Sequence, residues 1–234
     1  MKSVRPDHRP IVAAHRREKM HGRLVEAALL VIAEKGIETT VIDDVIATAG
    51  VSRGTFYNHF TDVHELMLSA RDALVDEWLD LALTAVAKVE DPAQSCAIAL
   101  RAGLEVADDY PLLARFHIMI GTNFLRRGNL VSVLLPPLVQ RGIDMGRFRV
   151  AAVDLLVDCM AAVVVVALQR TAMGQAYDMA EIIAVVLRML NVNPAEIPAL
   201  ADLSAPRVTP PSDGLIARSD AALRRKLTGV PAPI

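Results

Sequence analysis

The chain has 234 residues, 53% of them hydrophobic, and a formal net charge of −2. That much apolar material excludes a globally disordered chain, and a near-neutral balance excludes a protein that binds nucleic acid through bulk charge alone. The only two cysteines, Cys96 and Cys159, lie far apart, which excludes a disulfide framework and a cysteine metal site.

The charge is unevenly placed. Lys2, Arg5, Arg9, Arg16, Arg17, Lys19 and Arg23 crowd the start of the chain against only Asp7 and Glu18, and His8, His15, His21, His59 and His64 lie in the first third. This is the end expected to meet phosphate. Residues 1–15 read as a flexible basic arm, because Pro6 and Pro10 discourage a helix. From Arg16 to Lys35, Met20, Leu24, Ala27, Ala28, Val31 and Ile32 follow the three-four rhythm of an amphipathic helix, and Gly36 closes it.

A short helix is predicted from Val41 to Ala49, with Thr40 as N-cap, Asp43 completing a capping box, and Gly50 as its stop. Ser52 caps a second short helix, Arg53 to about His59. Asp62, with Glu65 three positions on, caps a long one from Val63 to about Val89, which Asp91-Pro92 ends. Further helices are expected at Ala93–Asp108, Pro111–Arg126, Leu130–Arg141, Ala151–Met173 and Met179–Leu190. The run Val163–Val166 has strand propensity, yet it lies in a long segment without turn signals and reads as helix. Beyond Asn193, Pro194, Pro198, Pro206, Pro210, Pro211, Pro231 and Pro233 point to a partly disordered tail. The basic start lacks the apolar stretch of a secretion signal. The most apolar run, Cys159–Leu168, has about ten residues where a membrane helix needs ~20. A soluble, cytoplasmic protein is expected.

The segment Thr40–Phe60 has the form of a helix-turn-helix. Its second helix must fit the major groove, and the turn must be tight enough to cross the two helices steeply, which suits Gly50. Val45, Ala49, Val51 and Phe56 can pack the pair onto the first and fourth helices. The start of the second helix then faces base edges.

The ordered set Gly36-Ile37-Glu38-Thr39-Thr40, Asp44-Val45 and Ala49-Gly50-Val51-Ser52-Arg53-Gly54-Thr55-Phe56-Tyr57-Asn58-His59-Phe60 resembles the DNA-binding domain of the TetR (tetracycline-repressor) family over roughly residues 16–70. The resemblance implies an all-α protein: a three-helix helix-turn-helix domain (16–62), a larger helical effector-binding and dimerisation domain (63–192), and a C-terminal tail (193–234). It implies a phosphate bond from Thr40 and DNA contacts from Ser52, Arg53, Gly54 and Thr55. It also implies phosphate contacts from Tyr57 and His59, and base or backbone contacts from Asn58. Arg is the side chain suited to guanine O6 and N7. The chain departs from the family pattern at Ile46, Val41, Val63 and His64, so one phosphate contact of the fourth helix is expected to be missing.

The resemblance further implies an effector pocket, with Trp78, Phe116, His117, Met119, Asn123 and Phe124 as candidate lining residues and a mainly apolar small-molecule effector. Two helices, Ala151–Met173 and Met179–Leu190, are expected to pair with those of a second copy. Ala161, Ala162, Val163, Val165, Ala167, Ile182, Val185, Val186 and Met189 would be at that seam. The implied function is a homodimeric repressor released from palindromic operator DNA. An effector-independent activator or an architectural DNA-binding protein stays open as the alternative. No P-loop, dinucleotide glycine motif, metal cluster or nucleophile-base pair is visible, so no enzyme activity, cofactor or metal is expected.

Overall fold

A computed structural model of the chain describes residues 9–36, 38–119 and 130–228. Among them every regular element is a helix: α1 (Arg9–Lys35), α2 (Ile42–Ala49), α3 (Arg53–Tyr57), α4 (Val63–Thr84), α5 (Pro92–Asp109), α6 (Pro111–Met119), α7 (Leu130–Asp144), α8 (Val153–Ala172), α9 (Met179–Met189), α10 (Ile197–Ala201) and α11 (Leu215–Thr228). The all-α expectation holds, and Val163–Val166 is helical.

The chain forms two compact units, Met1–Ala70 and Arg71–Ile234. The division falls inside α4 rather than at its start, the boundary expected from sequence. Leu66 and Ala70, both fully buried in α4, belong to the first unit. That unit is built on the apolar face of α1 (Leu24, Ala28, Val31, Ile32), against which Val45 and Ala49 of α2, Phe56 of α3 and Phe60 are buried. α1 starts at Arg9 rather than Arg16. Pro10 does not prevent this, because a first-turn N–H has no intrahelical acceptor to lose.

In the second unit, Ala93 and Ala97 of α5, Val139 of α7, Leu156, Val157 and Met160 of α8, and Ile183, Val186 and Leu187 of α9 share one core. Asp91 caps α5 through the Ala93 N–H at 3.2 Å, with Pro92 at the first helical position. Asp178 caps α9 through the Ala180 N–H at 2.9 Å. α7 contains Pro136 and Pro137, each lacking a ladder N–H. By length and composition α8 is apolar enough to cross a bilayer, with a mean hydropathy of 1.8, which corrects the short apolar run expected there. Its Leu156, Val157, Met160, Ala167 and Leu168 are instead buried in the unit. Ala167 and Val186 are wholly enclosed within the chain, so both are core residues and not available at a seam between copies.

The stretch after Asn193, expected as a tail, carries α10 and α11. Arg101 of α5 donates to the Ala201 carbonyl at the end of α10, at 2.5 Å. Arg224 pairs with Asp220 one turn back and donates to the Asp109 carbonyl at 2.6 Å, so it ties α11 to the end of α5 and is not a free cation. The first N–H groups of α11, Leu215 at 2.7 Å and Ile216 at 3.4 Å, both point at the Glu77 carboxylate of α4. Burial pushes Glu77 upward and those N–H bonds pull it back; the net is a pKa above the ordinary carboxylate value.

Candidate DNA interface and effector cavity

In the first unit, Gly50 ends α2 in the left-handed region (φ 62, ψ 44), a conformation glycine adopts without a Cβ clash. The Val51 N–H reaches back to the Ile46 carbonyl at 3.0 Å, which closes the turn. Ser52 then caps α3: its Oγ accepts from the Thr55 N–H at 3.1 Å and lies 2.9 Å from Thr55 Oγ1. Phe56 is the buried anchor, with Tyr57 edge-on at 5.4 Å and Phe60 at 6.0 Å. Since Phe56 points into the core, its sequence neighbours point out. Arg53, Gly54, Tyr57 and Asn58 are exposed, and Thr55 and His59 are partly so. At the following turn the Glu65 N–H bonds Asp62 at 2.8 Å while the Glu65 carboxylate receives the Thr61 N–H at 2.6 Å, the reciprocal cap expected for α4.

Two expected features differ. The N-cap of α2 is Val41, without a side-chain hydrogen bond, so neither Thr40 nor Asp43 caps this helix. Thr40 is buried, and its hydroxyl donates to the Gly36 carbonyl at 2.8 Å. That bond engages its one donor, so Thr40 secures the α1–α2 turn. Asp43 instead accepts from Arg53 at 2.6 Å across the helix pair. Both partners are largely exposed, so the pairing is weak and guanidinium is not locked away. Lys35 of α1 pairs with Asp44 of α2; this hydrogen bond holds the Asp44 carboxyl below its usual range.

The His21 ring of α1 lies tilted against Phe60 at 4.8 Å between centroids, with Nε2 3.3 Å from Ser69 Oγ. Burial, then His59 and Arg17, lower its pKa, with Glu65 opposing; burial and Arg17 lower that of His59. Both shifts favour the neutral imidazole.

The second unit holds a cavity of about 700 Å³ lined from α4, α5, α7 and α8. Its wall is mostly aliphatic, with Leu79, Leu83, Leu100, Leu135, Met160 and Val164 representative. Trp78 lines it, as expected, and donates its indole N–H to the Gly103 carbonyl at 2.7 Å. A Cβ at residue 103 would lie 3.3 Å from the indole, so glycine lets the ring lie flat against α5. Cys96 lines the cavity too, and burial pushes its thiol up to about 12. Phe116 does not line it; its ring is fully buried in α6, which corrects that assignment. The side chains of His117 and Met119, and the whole of Asn123 and Phe124, lie outside the described residues.

Sequence reasoning missed Arg71. It lies one turn before Val75 and two before Trp78 on α4, and at this spacing the three share a helix face that a helical reading of α4 alone would reveal. Arg71 is 1% exposed, the largest of the wholly buried side chains, and it lines the cavity.

A helix-turn-helix unit followed by an all-helical unit that holds a cavity defines a class of DNA-binding regulator. The family model described as bacterial regulatory proteins, tetR family, matches residues 24–70, and the one described as tetracyclin repressor-like, C-terminal domain, matches residues 91–202. Together they cover more than half of the chain, which belongs to the TetR family of DNA-binding transcriptional regulators. Among curated relatives, the uncharacterized HTH-type transcriptional regulator YvdT of Bacillus subtilis is 34% identical over 25% of this chain and 30% of its own length. YfiR of the same organism, also an uncharacterized HTH-type transcriptional regulator, is 27% identical over 60% of this chain and 73% of its own. The chain thus spans under a third of the first of these relatives and about three quarters of the second. Among solved structures, RolR in complex with resorcinol superposes with a TM-score of 0.69 at 24% identity, covering 84% of this chain and 100% of RolR. That likeness establishes the fold.

Proposed function

We propose that this regulator is a homodimeric repressor that leaves a palindromic operator when a small, mainly apolar effector enters the cavity of its second unit. The observation that carries the reading is that cavity, about 700 Å³ and walled mainly by aliphatic side chains. Its size is that of a ligand site rather than a packing defect. The structural neighbour RolR, crystallised with resorcinol, is consistent with a small-molecule effector.

On this reading Ser52 and Thr55 position the start of α3, and Arg53 exchanges Asp43 for a base edge or phosphate. Gly54 lets the backbone approach the groove, and Tyr57, Asn58 and His59 hold phosphates or neighbouring groups. Thr40 fixes the turn beneath them. The second copy docks on α8 and α9. Leu155, Cys159, Ala162 and Val166 recur on one face of α8 at helical spacing, and Leu155, Val166 and, at its C-cap, Met173 are large apolar side chains left exposed by the fold. A two-fold pair would present two α3 helices about one duplex turn apart, ~34–36 Å. Since α4 contributes Arg71, Val75 and Trp78 to the cavity and begins in the first unit, it is the element through which an effector would alter operator spacing. A differential affinity of a few kcal/mol between two states is enough for release.

The test is footprinting and binding of the DNA around its own gene. A discrete palindrome is expected, with Arg53→Ala lowering affinity about tenfold or more and Tyr57→Phe lowering it severalfold, while the dimer persists. Diffuse protection, or both variants binding like the parent protein, sinks the assignment of α3 as reader.

A further inference from the structure

Resting on the reading of α3 as the element that meets DNA, we propose that Asp43 of α2 is a specificity-determining residue. It withholds the Arg53 guanidinium from the DNA backbone, so that Arg53 transfers to a guanine edge in the operator and not to the phosphates of arbitrary duplex. The observation behind this is the pairing of the two across the helix-turn-helix, where Arg53 Nη2 donates to Asp43 Oδ1 at 2.6 Å.

Both side chains are largely exposed, and both belong to the first unit. Whatever Arg53 meets from solution therefore meets the Asp43 carboxylate as well. The neighbouring carboxylate is used differently: Asp44 is paired with Lys35 of α1, which offsets its charge. Asp43 has Arg53 as its one hydrogen-bond partner among the described residues. When Arg53 leaves, the charge on Asp43 stands uncompensated.

That charge decides between the two destinations open to Arg53. Duplex DNA carries one negative charge per ~1.7 Å of its axis. Moving the guanidinium from Asp43 to a phosphate exchanges one anionic partner for another and leaves Asp43 facing the polyanion, so the move gains little. A guanine instead offers two acceptors, O6 and N7, to the guanidinium fork. There the single bond to Asp43 Oδ1 is replaced by two. Exposure keeps the pair weak enough to release. Asp43 thus lowers binding to every sequence, and lowers it least where a guanine stands opposite Arg53.

The experiment selects duplexes from a randomised pool with the full-length parent, Arg53→Ala, Asp43→Ala and Asp43→Asn. It also measures the binding of each protein to poly(dA-dT), which lacks guanine. The parent is expected to select a two-fold site, and Arg53→Ala to lose the preference for guanine at one position of each half. At that position both Asp43 variants should still favour guanine, but with a preference over the other bases reduced about fivefold or more. On poly(dA-dT) they should bind about threefold or more tightly than the parent, with a log–log salt dependence steeper by about one, the mark of one further cation reaching phosphate. Asp43→Asn keeps the shape of the side chain and one acceptor oxygen, so agreement between the two variants assigns the effect to charge. An unchanged guanine preference, unchanged or weaker binding to poly(dA-dT), or an Asn variant that behaves like the parent overturns the role of Asp43 and leaves α3 as reader standing. If the parent selects no site, or Arg53→Ala selects the same one, the reading of α3 falls and the role of Asp43 with it.

Discussion

Single side chains here act by what their neighbours leave unsatisfied or unfilled. Among the described residues, a methyl group at Gly54 would have Ser52 Oγ as its near neighbour, 3.8 Å away, an ordinary contact. Nothing inside the protein therefore demands glycine on this exposed face of α3. Gly54→Ala should melt at the same temperature as the parent or slightly above, since alanine favours a helix by up to about 1 kcal/mol. Operator affinity should nevertheless fall, because the added carbon would stand between α3 and the groove. Calorimetry with a DNA titration separates the two effects, and unaltered DNA affinity would show that α3 does not approach its partner at Gly54. Gly142 is the opposite case. A Cβ there would lie 2.0 Å from the Phe148 ring, inside the core of the second unit. Gly142→Ala should cost about 2 kcal/mol or more through overpacking, seen as a lower urea midpoint.

At the scale of elements, the second unit is tied together by ionic clasps between helix ends. Arg147, in the turn after α7, reaches Asp91 at the cap of α5 (2.7 and 3.0 Å) and Glu196 before α10 (2.9 Å). Burial tends to raise the Asp91 carboxyl, but the hydrogen bonds from Arg147 and the Ala93 N–H outweigh it and hold it below the ordinary value. A depressed carboxylate contributes stability that is present above its unfolded pKa of about 4 and is lost as pH falls through the folded value. Arg147→Ala should thus destabilise the protein by about 2 kcal/mol at pH 7. The gap between variant and parent should begin to narrow as pH falls below about 4, the unfolded value, and close only at lower pH, where Asp91 protonates in the parent as well. A gap that is constant with pH would mean that the side chain acts by packing alone.

At the scale of the molecule, the exposed apolar face of α8 sets an expectation about assembly. Leu155 is 64% exposed and Val166 50%. Leu155→Glu combined with Val166→Glu should yield monomers by sedimentation at concentrations where the parent is a dimer, with circular dichroism unchanged. For the parent, the melting temperature should rise with protein concentration, as it does when association stabilises the folded state. Dimers that survive both substitutions would place the seam elsewhere.

Local chemistry was readable along the chain. Periodicity announced α1, glycine in the left-handed region stopped α2, and Ser52 and Asp62 announced the caps they form, because each of these interactions closes within four residues. The helix-turn-helix and its exposed residues were legible for the same reason. The N-cap of α2 was misread because Thr40 has two partners within reach, the N–H donors of a helix N-terminus and the Gly36 carbonyl that accepts its proton, and only packing of α1 on α2 selects between them. The fold of the C-terminal stretch was hidden because α11 is held by partners far away in sequence, Glu77 and Asp109. Phe116, expected in the cavity wall, is buried in α6, while Arg71, which the sequence did not single out, is in that wall, on the same principle. Aromatic composition nominates a ring for a pocket, but whether a buried side chain faces a neighbour or a void depends on which helices stand opposite it, and that is a property of tertiary structure.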